Sequence, residues 1–425
     1  TYVSMNNIKN NSSDNVNSSI KIETKRIIDK DSIFSASGLF TNSISTTRSI
    51  NQEPITFEDI YLRLENYNFF IKNDYFKTEI SSVESFESTS TNSIPITPSI
   101  NYQNYIRMNN YSLINDINFN VLKRNKSTLE NPSESLKLSL NTDLIYNSFN
   151  KNVSFFNKIF FSNSLNDYYF KNNNSQNHNS FKSNIILSSD LYYKKLGFVS
   201  PRAKFIIPMQ LSNTNKEINE DSKSITFNYE NQFSENRFFG NDLFDSSPRI
   251  VYGIENMTTI NDQKINFKLN QSYETNMNSS YSNYINQTSK FSDFAFESKI
   301  KTNNILFQID SRFDQNNFSK KEMNYSLRLN DPLNFSLIYN ETESEAFKSL
   351  SNDTQSVRFS ITKKINNNIN LGYSSNLDVK NNYAPFESSL KMSLFDECSQ
   401  LDIIYSNTRF NDNYNTQPEE VISFT

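Results

Sequence analysis

The chain has 425 residues, 36% of them hydrophobic and 14% aromatic, with a net charge of -4, one His, one Cys and no Trp. Disordered chains are poor in Phe and Tyr, so 36 Phe and 23 Tyr exclude a chain that never folds. One His and one Cys cannot build a zinc site or a nucleophilic triad, the small unclustered charge leaves no nucleic-acid footprint, and no run of about 18 apolar residues exists to cross a membrane as a helix.

Residues 1–17 are polar and are expected to be a loop or disordered. From there on, apolar and polar residues alternate in segment after segment. The apolar members are Ile60, Leu62 and Leu64; Leu136, Leu138 and Leu140; Ile225, Phe227 and Tyr229; Ile265, Phe267 and Leu269; Tyr325, Leu327 and Leu329. They continue with Leu333, Phe335, Leu337 and Tyr339; Val357, Phe359 and Ile361; Ile369, Leu371 and Tyr373; Leu390, Met392 and Leu394; Leu401, Ile403 and Tyr405. A period of two is the mark of a strand with one apolar and one polar face, and a slip of one residue would exchange the faces. No helical period is visible. Phe155–Phe161 is apolar on both faces, so its orientation is open.

Polar stretches separate these runs: Asn42–Pro54, Glu84–Ile94, Lys171–Asn179, Ser212–Asp221, Glu274–Lys290, Glu341–Thr354 and Asn411–Glu419. Tight turns alternating with longer loops, over roughly twenty strands, predict a large antiparallel transmembrane β-barrel of the outer-membrane type. Half of each strand then faces lipid, which reconciles a low apolar content with a folded chain. Residues 18–425 read as one such domain, incomplete at both ends, with a last strand beginning near Val421. Leu327, Leu329, Phe359, Ile361, Leu371, Leu390 and Met392 are expected to face lipid. With 5 Gly in the chain, turns must lean on Asn and Asp, which tolerate positive φ.

Little else carries chemistry. His178 lies in a polar stretch and is read as a loop residue, and neither a catalytic group, a metal site nor a cofactor site is expected. Gly240 and Gly253 form no phosphate loop; a turn and a close strand approach are the readings for them. Arg237 and Arg249 either meet lipid phosphates or, more commonly, pair with lumenal acids. Cys398 in Phe395-Asp-Glu-Cys-Ser is either a small buried residue or a thiol with a partner elsewhere.

Several stretches resemble the β-barrel domain of the LptD family, of the alphaproteobacterial type, which assembles lipopolysaccharide at the cell surface. Asn236-Arg237-Phe238-Phe-Gly240-Asn-Asp242, then Arg249-Ile-Val-Tyr252-Gly253, is similar to that family's signature, with Leu243-Phe-Asp-Ser-Ser altering the spacing. Ile94-Pro-Ile-Thr-Pro-Ser-Ile-Asn-Tyr102, the segment Tyr192–Pro208 and the region around Cys398 resemble further family segments, in the family's order. The resemblance implies an outer-membrane translocon and no enzyme. Its implied partners are an LptE-like lipoprotein plug, a periplasmic bridge protein, lipopolysaccharide and outer-membrane lipids. It also implies a disulfide from Cys398 to a periplasmic domain. Sugars would pass through a polar lumen and acyl chains through an opening between the first and last strands. A porin or solute receptor, or a secreted Asn/Ser-rich adhesin, are the alternative readings.

Overall fold

The computed structural model describes residues 2–9, 16–41, 57–85, 94–123, 132–150, 152–170, 176–194, 199–212, 223–240, 243–260, 263–276, 280–330, 333–348, 350–380, 384–396, 400–408 and 419–424. The strands are β1 (Tyr2–Lys9), β2 (Val16–Ile27), β3 (Ser32–Thr41), β4 (Phe57–Tyr67), β5 (Asp74–Ser85), β6 (Ile94–Met108), β7 (Tyr111–Lys123) and β8 (Glu134–Phe149). They continue as β9 (Val153–Phe170), β10 (Gln176–Tyr193), β11 (Ser200–Ser212), β12 (Lys223–Ser224), β13 (Phe238–Phe239), β14 (Arg249–Ile260), β15 (Gln263–Glu274) and β16 (Phe294–Lys301). The last are β17 (Ile305–Phe313), β18 (Lys320–Leu329), β19 (Asn334–Thr342), β20 (Thr354–Asn366), β21 (Ile369–Asp378), β22 (Ala384–Phe395), β23 (Gln400–Thr408) and β24 (Glu419–Phe424).

All but β12 and β13 join one antiparallel sheet of 22 strands. Each strand pairs with its neighbour in sequence, from β1–β2 through to β23–β24, and β11 pairs directly with β14. Among the described residues β1 pairs with β2 alone and β24 with β23 alone. The fold is all-β and up-and-down, an outer-membrane barrel architecture. No described helix is long and apolar enough to cross a membrane.

Register shows why the alternation matters. Directly opposed residues in antiparallel strands share a face. Ile305, Leu329, Phe335, Ile361, Tyr373, Leu390 and Tyr405 form one apolar row across β17–β23. One residue away, on the opposite face, runs Arg328, Ser336, Ser360, Ser374, Ser389 and Ser406. Leu327 and Phe359 lie in the row Phe307–Leu327–Leu337–Phe359, and Leu371 and Met392 in Leu371–Met392–Ile403. All seven residues expected at lipid therefore share one face of the sheet.

Connections alternate in length. One end carries links as short as 109–110 and 367–368, the other carries 42–56, 213–248 and 275–293. Asparagine closes several turns at positive φ, as Asn68, Asn73 and Asn109 show, where a side chain that bonds locally offsets the left-handed strain.

Four readings of the sequence differ from the structure. Tyr2–Lys9 is strand β1, so the strand series starts within residues 1–17, which were expected to be a loop or disordered. The backbone of His178 lies within β10, opposite Tyr168, because the β9–β10 hairpin extends beyond its apolar middle. Ile225, Phe227 and Tyr229 alternate and are buried, yet form no spanning strand: only Lys223–Ser224 pairs, and a one-turn helix starts at Tyr229. A short helix also occupies Ser280–Tyr284, within the stretch read as a plain loop.

Candidate functional site

The connection between β11 and β14 folds back onto the inner, polar face of the sheet. Its helix Tyr229–Gln232 is capped by the Asn228 side chain, which accepts from Asn231 N at 2.8 Å. Two apolar clusters seat the connection. Tyr229, Phe233 and Phe244 pack with Ile186, Ile206 and Val251 of the wall, and Ile225, Phe227 and Phe238 pack with Tyr281, Ile285 and Ala295. Burying a side chain of this size contributes about 1.5–3 kcal/mol.

Between these clusters lies a buried charge network. Arg237, Asp245 and Glu274 are all 0% exposed, and Arg249 is 2% exposed. Arg237 Nε donates to Asp245 Oδ2 at 2.6 Å and Nη1 to Glu274 Oε1 at 2.7 Å, while its guanidinium lies 4.1 Å from the Tyr281 ring centre. Arg249 Nη1 stands 2.9 Å from Asp245 Oδ2, and its Nη2 donates to the carbonyls of Ser234 and Glu235. Ser282 Oγ donates to Glu274 Oε2 at 3.0 Å, drawing in the β15–β16 connection. Burial would push the Asp245 carboxyl up, but the two guanidiniums outweigh it and hold it below the ordinary carboxylate range.

Cations of the wall grip the same connection from several strands. Lys204 Nζ donates to Phe233 O at 2.7 Å and to Glu235 Oε1 at 2.6 Å. Burial opposes the charge on Glu235, yet Lys204 and Lys158 prevail and set its carboxyl at about 2. That depression stabilises the fold at pH above about 4.3 and the contribution fades as pH falls toward the lowered value. Lys268 reaches Glu230 at 2.6 Å and Glu297 at 3.4 Å. Arg312 of β17 donates to Asp293, Ala346 O and Ile285 O, and its guanidinium lies 4.6 Å from the Phe227 ring centre. Three connections on the long-loop end are thus tied to one strand.

The signature positions divide between two faces. Asn236 Oδ1 accepts from Asp245 N at 3.1 Å, Arg237 and Arg249 sit in the network, and Phe238 meets Tyr281 edge-on. Gly240 follows β13 at φ 91°, a conformation that favours glycine. Tyr252 points to the apolar face, where its hydroxyl donates to Gln271 Oε1. A Cβ on Gly253 would lie 2.6 Å from Leu269 O, so β14 and β15 approach closely there. Asp242 and Cys398 lie outside the described residues. The arginines thus meet lumenal acids.

Sequence reasoning missed those acids. Asp245 belongs to Leu243-Phe-Asp-Ser-Ser, which read as a disturbance of the motif's spacing, and Glu274 stood at the edge of a presumed loop. Arg312 carried a usable signal: with Gln308 and Asp310 it continues the polar face of β17. Among the described residues no group of three or more His, Cys, Asp or Glu is placed to hold a metal.

A family model described as LPS transport system D, LptD, matches residues 34–374. The chain belongs to the LptD family. It is therefore an outer-membrane lipopolysaccharide transport protein, in a family of transporters and not of enzymes, with lipopolysaccharide as its cargo. No curated protein sequence matches the chain. Among solved structures it is similar to a mutant porin of Rh. blastica at 8% identity and a TM-score of 0.29, covering 70% of this chain and 94% of the porin. It is also similar to the siderophore receptor PiuA from Acinetobacter baumannii at 8% identity and a TM-score of 0.33, covering 99% of this chain and 73% of the receptor. Both likenesses are too remote to carry any part of the LptD assignment.

Removing Asp245 takes from Arg249 its ion-pair partner and leaves Arg237 with Glu274 alone, and losing one partner of such a buried group costs about 3–5 kcal/mol. Asp245→Ala is expected to lower the unfolding midpoint, read by heat-modifiable gel mobility, far more than Glu230→Ala at the network's exposed rim. Equal shifts would remove the network from the account.

Proposed function

We propose that this chain inserts lipopolysaccharide into the outer leaflet through a sideways opening of its sheet, with the sugars kept on the polar inner face. The observation that carries this reading is the inward-folded β11–β14 connection. It covers the inner faces of β10, β11, β14 and β15 and is held there by buried ion pairs, which obstructs straight passage along the lumen. An amphiphile cannot travel wholly through a polar lumen, because its acyl chains would be exposed to water. A sheet parts most readily at its terminal strands, where the ladder hydrogen bonds of one seam are all that must break. β24, paired with β23 alone among the described residues, is the edge we assign to the opening.

An LptE-like lipoprotein would occupy lumen left beside β20–β22, whose inner faces carry the serine rows and an open cleft of about 350 Å³. A periplasmic bridge protein would deliver the cargo at the end with short connections, which in such barrels faces the periplasm. Cys398 falls in the short β22–β23 connection, 396–399, and we assign it a disulfide to a periplasmic domain.

A photo-crosslinking residue at Val421 in β24 is expected to capture lipopolysaccharide during transport, whereas one at Ile207 in the middle of the wall captures none. Equal capture at both sites would contradict a terminal opening.

The apolar face of β17–β23 is assigned to lipid. Placing Arg at the bilayer midplane of such a face costs about 2–4 kcal/mol. Leu390→Arg, at a side chain 52% exposed, should impair assembly much more than Lys391→Glu on the other face. Similar damage from both would mean the faces are exchanged.

In the mature full-length protein Cys398 should resist thiol labelling until a reductant is added. Free labelling without reductant would refute the disulfide.

A further inference from the structure

The wall holds a concavity on its apolar face that the transport reading does not use. It has a volume of about 400 Å³, at the low end of the 300–1,000 Å³ range of ligand pockets. Leu191 of β10, Ala203 of β11, Tyr252 and Ile254 of β14, Leu269 of β15 and Phe294 of β16 line it. Register puts the first strands on one face: Leu191 opposes Ala203, Ala203 opposes Tyr252, and Ile254 opposes Leu269. Along β11 the same face carries Phe205, Ile207 and Met209, all exposed, so the groove opens within the outer apolar surface and not into the lumen.

Its shape has a cause in the sequence. Ala203 leaves the centre without bulk, and Gly253 lets β14 and β15 draw together where a Cβ would collide with Leu269 O and Asn270 Cβ. Leu191 and Tyr252 stand as walls, 41% and 40% exposed. At the outer rim the Tyr252 hydroxyl is satisfied internally by Gln271. The groove runs obliquely over the wall, from beside the short β10–β11 connection to Phe294, where β16 begins after the long 275–293 connection.

We propose that this groove holds an acyl chain of a bilayer phospholipid, retained longer than the lipids around the rest of the wall. The inference rests on the apolar face meeting lipid, and continuity with that face argues for a lipid occupant. An acyl chain fits because the lining is almost wholly apolar and the trough runs across five strands. Filling it excludes a void beside the close β14–β15 contact.

The chain has no Trp, so a single introduced Trp reports without background. The full protein bearing Leu191→Trp, or Leu390→Trp on the plain wall, would be reconstituted in phosphatidylcholine vesicles with brominated acyl chains, then extracted and diluted into detergent. In vesicles both Trp residues should be quenched; if neither is, the apolar face does not meet lipid and that reading fails. After dilution, Leu191→Trp should stay quenched while Leu390→Trp recovers, and adding Ala203→Phe should release the quenching at Leu191→Trp. Recovery of both together would overturn the proposal, whether or not the Ala203→Phe variant assembles. Release of the retained quencher by purified lipopolysaccharide but not by unbrominated phospholipid would overturn it too, by giving the groove to the cargo.

Discussion

Asp245 is the point on which the interior turns. Two guanidinium groups, Arg237 and Arg249, are buried against the inner face, and neither can lose its proton at any physiological pH. A buried charge without a counter-charge is far costlier than the same charge in water, so the position of one carboxylate dictates where the connection between β11 and β14 can lie. Glu274 supplies the second negative charge and ties β15 to the same centre, while Ser282 extends it to the next connection. Apolar packing around Tyr229 and Phe238 adds most of the favourable burial, but it is not directional. The ion pairs select the geometry.

That selection has a consequence for transport. A sheet of 22 strands encloses room for more than its own side chains. Part of that room is taken by the chain itself, held by cations from β9, β11, β15 and β17. The inner wall is thus divided between a filled sector and a sector lined by Ser360, Ser374, Ser389 and Lys391, with Lys391 paired to Asp402 at 2.7 Å. The filled sector behaves as structure, and the open one is where a polar cargo or a plug protein has space.

The strands were legible because their signal is local. A period of two survives any length of loop, and the rows through Ile361 and Leu390 needed only in-phase alternation to appear. The same signal misled at Ile225, Phe227 and Tyr229, since alternate burial also arises where an irregular segment lies flat between a wall and other loops. The network was illegible for a different reason. Arg237 and Glu274 are 37 residues apart and meet only after β14 and β15 have turned the chain back. Family resemblance pointed to the arginines but carried no information on their partners, and the insertion that supplies Asp245 looked like noise.

The central claim is that buried ion pairs fix the inward-folded connection to the wall. Amide hydrogen exchange on the assembled protein tests it most directly. Peptides covering residues 229–233 and 244–248 should exchange as slowly as β14 and β15, and Asp245→Ala should release them while leaving those strands protected. Rapid exchange of both peptides in the unaltered protein, at the rate of exposed loops, would contradict the account.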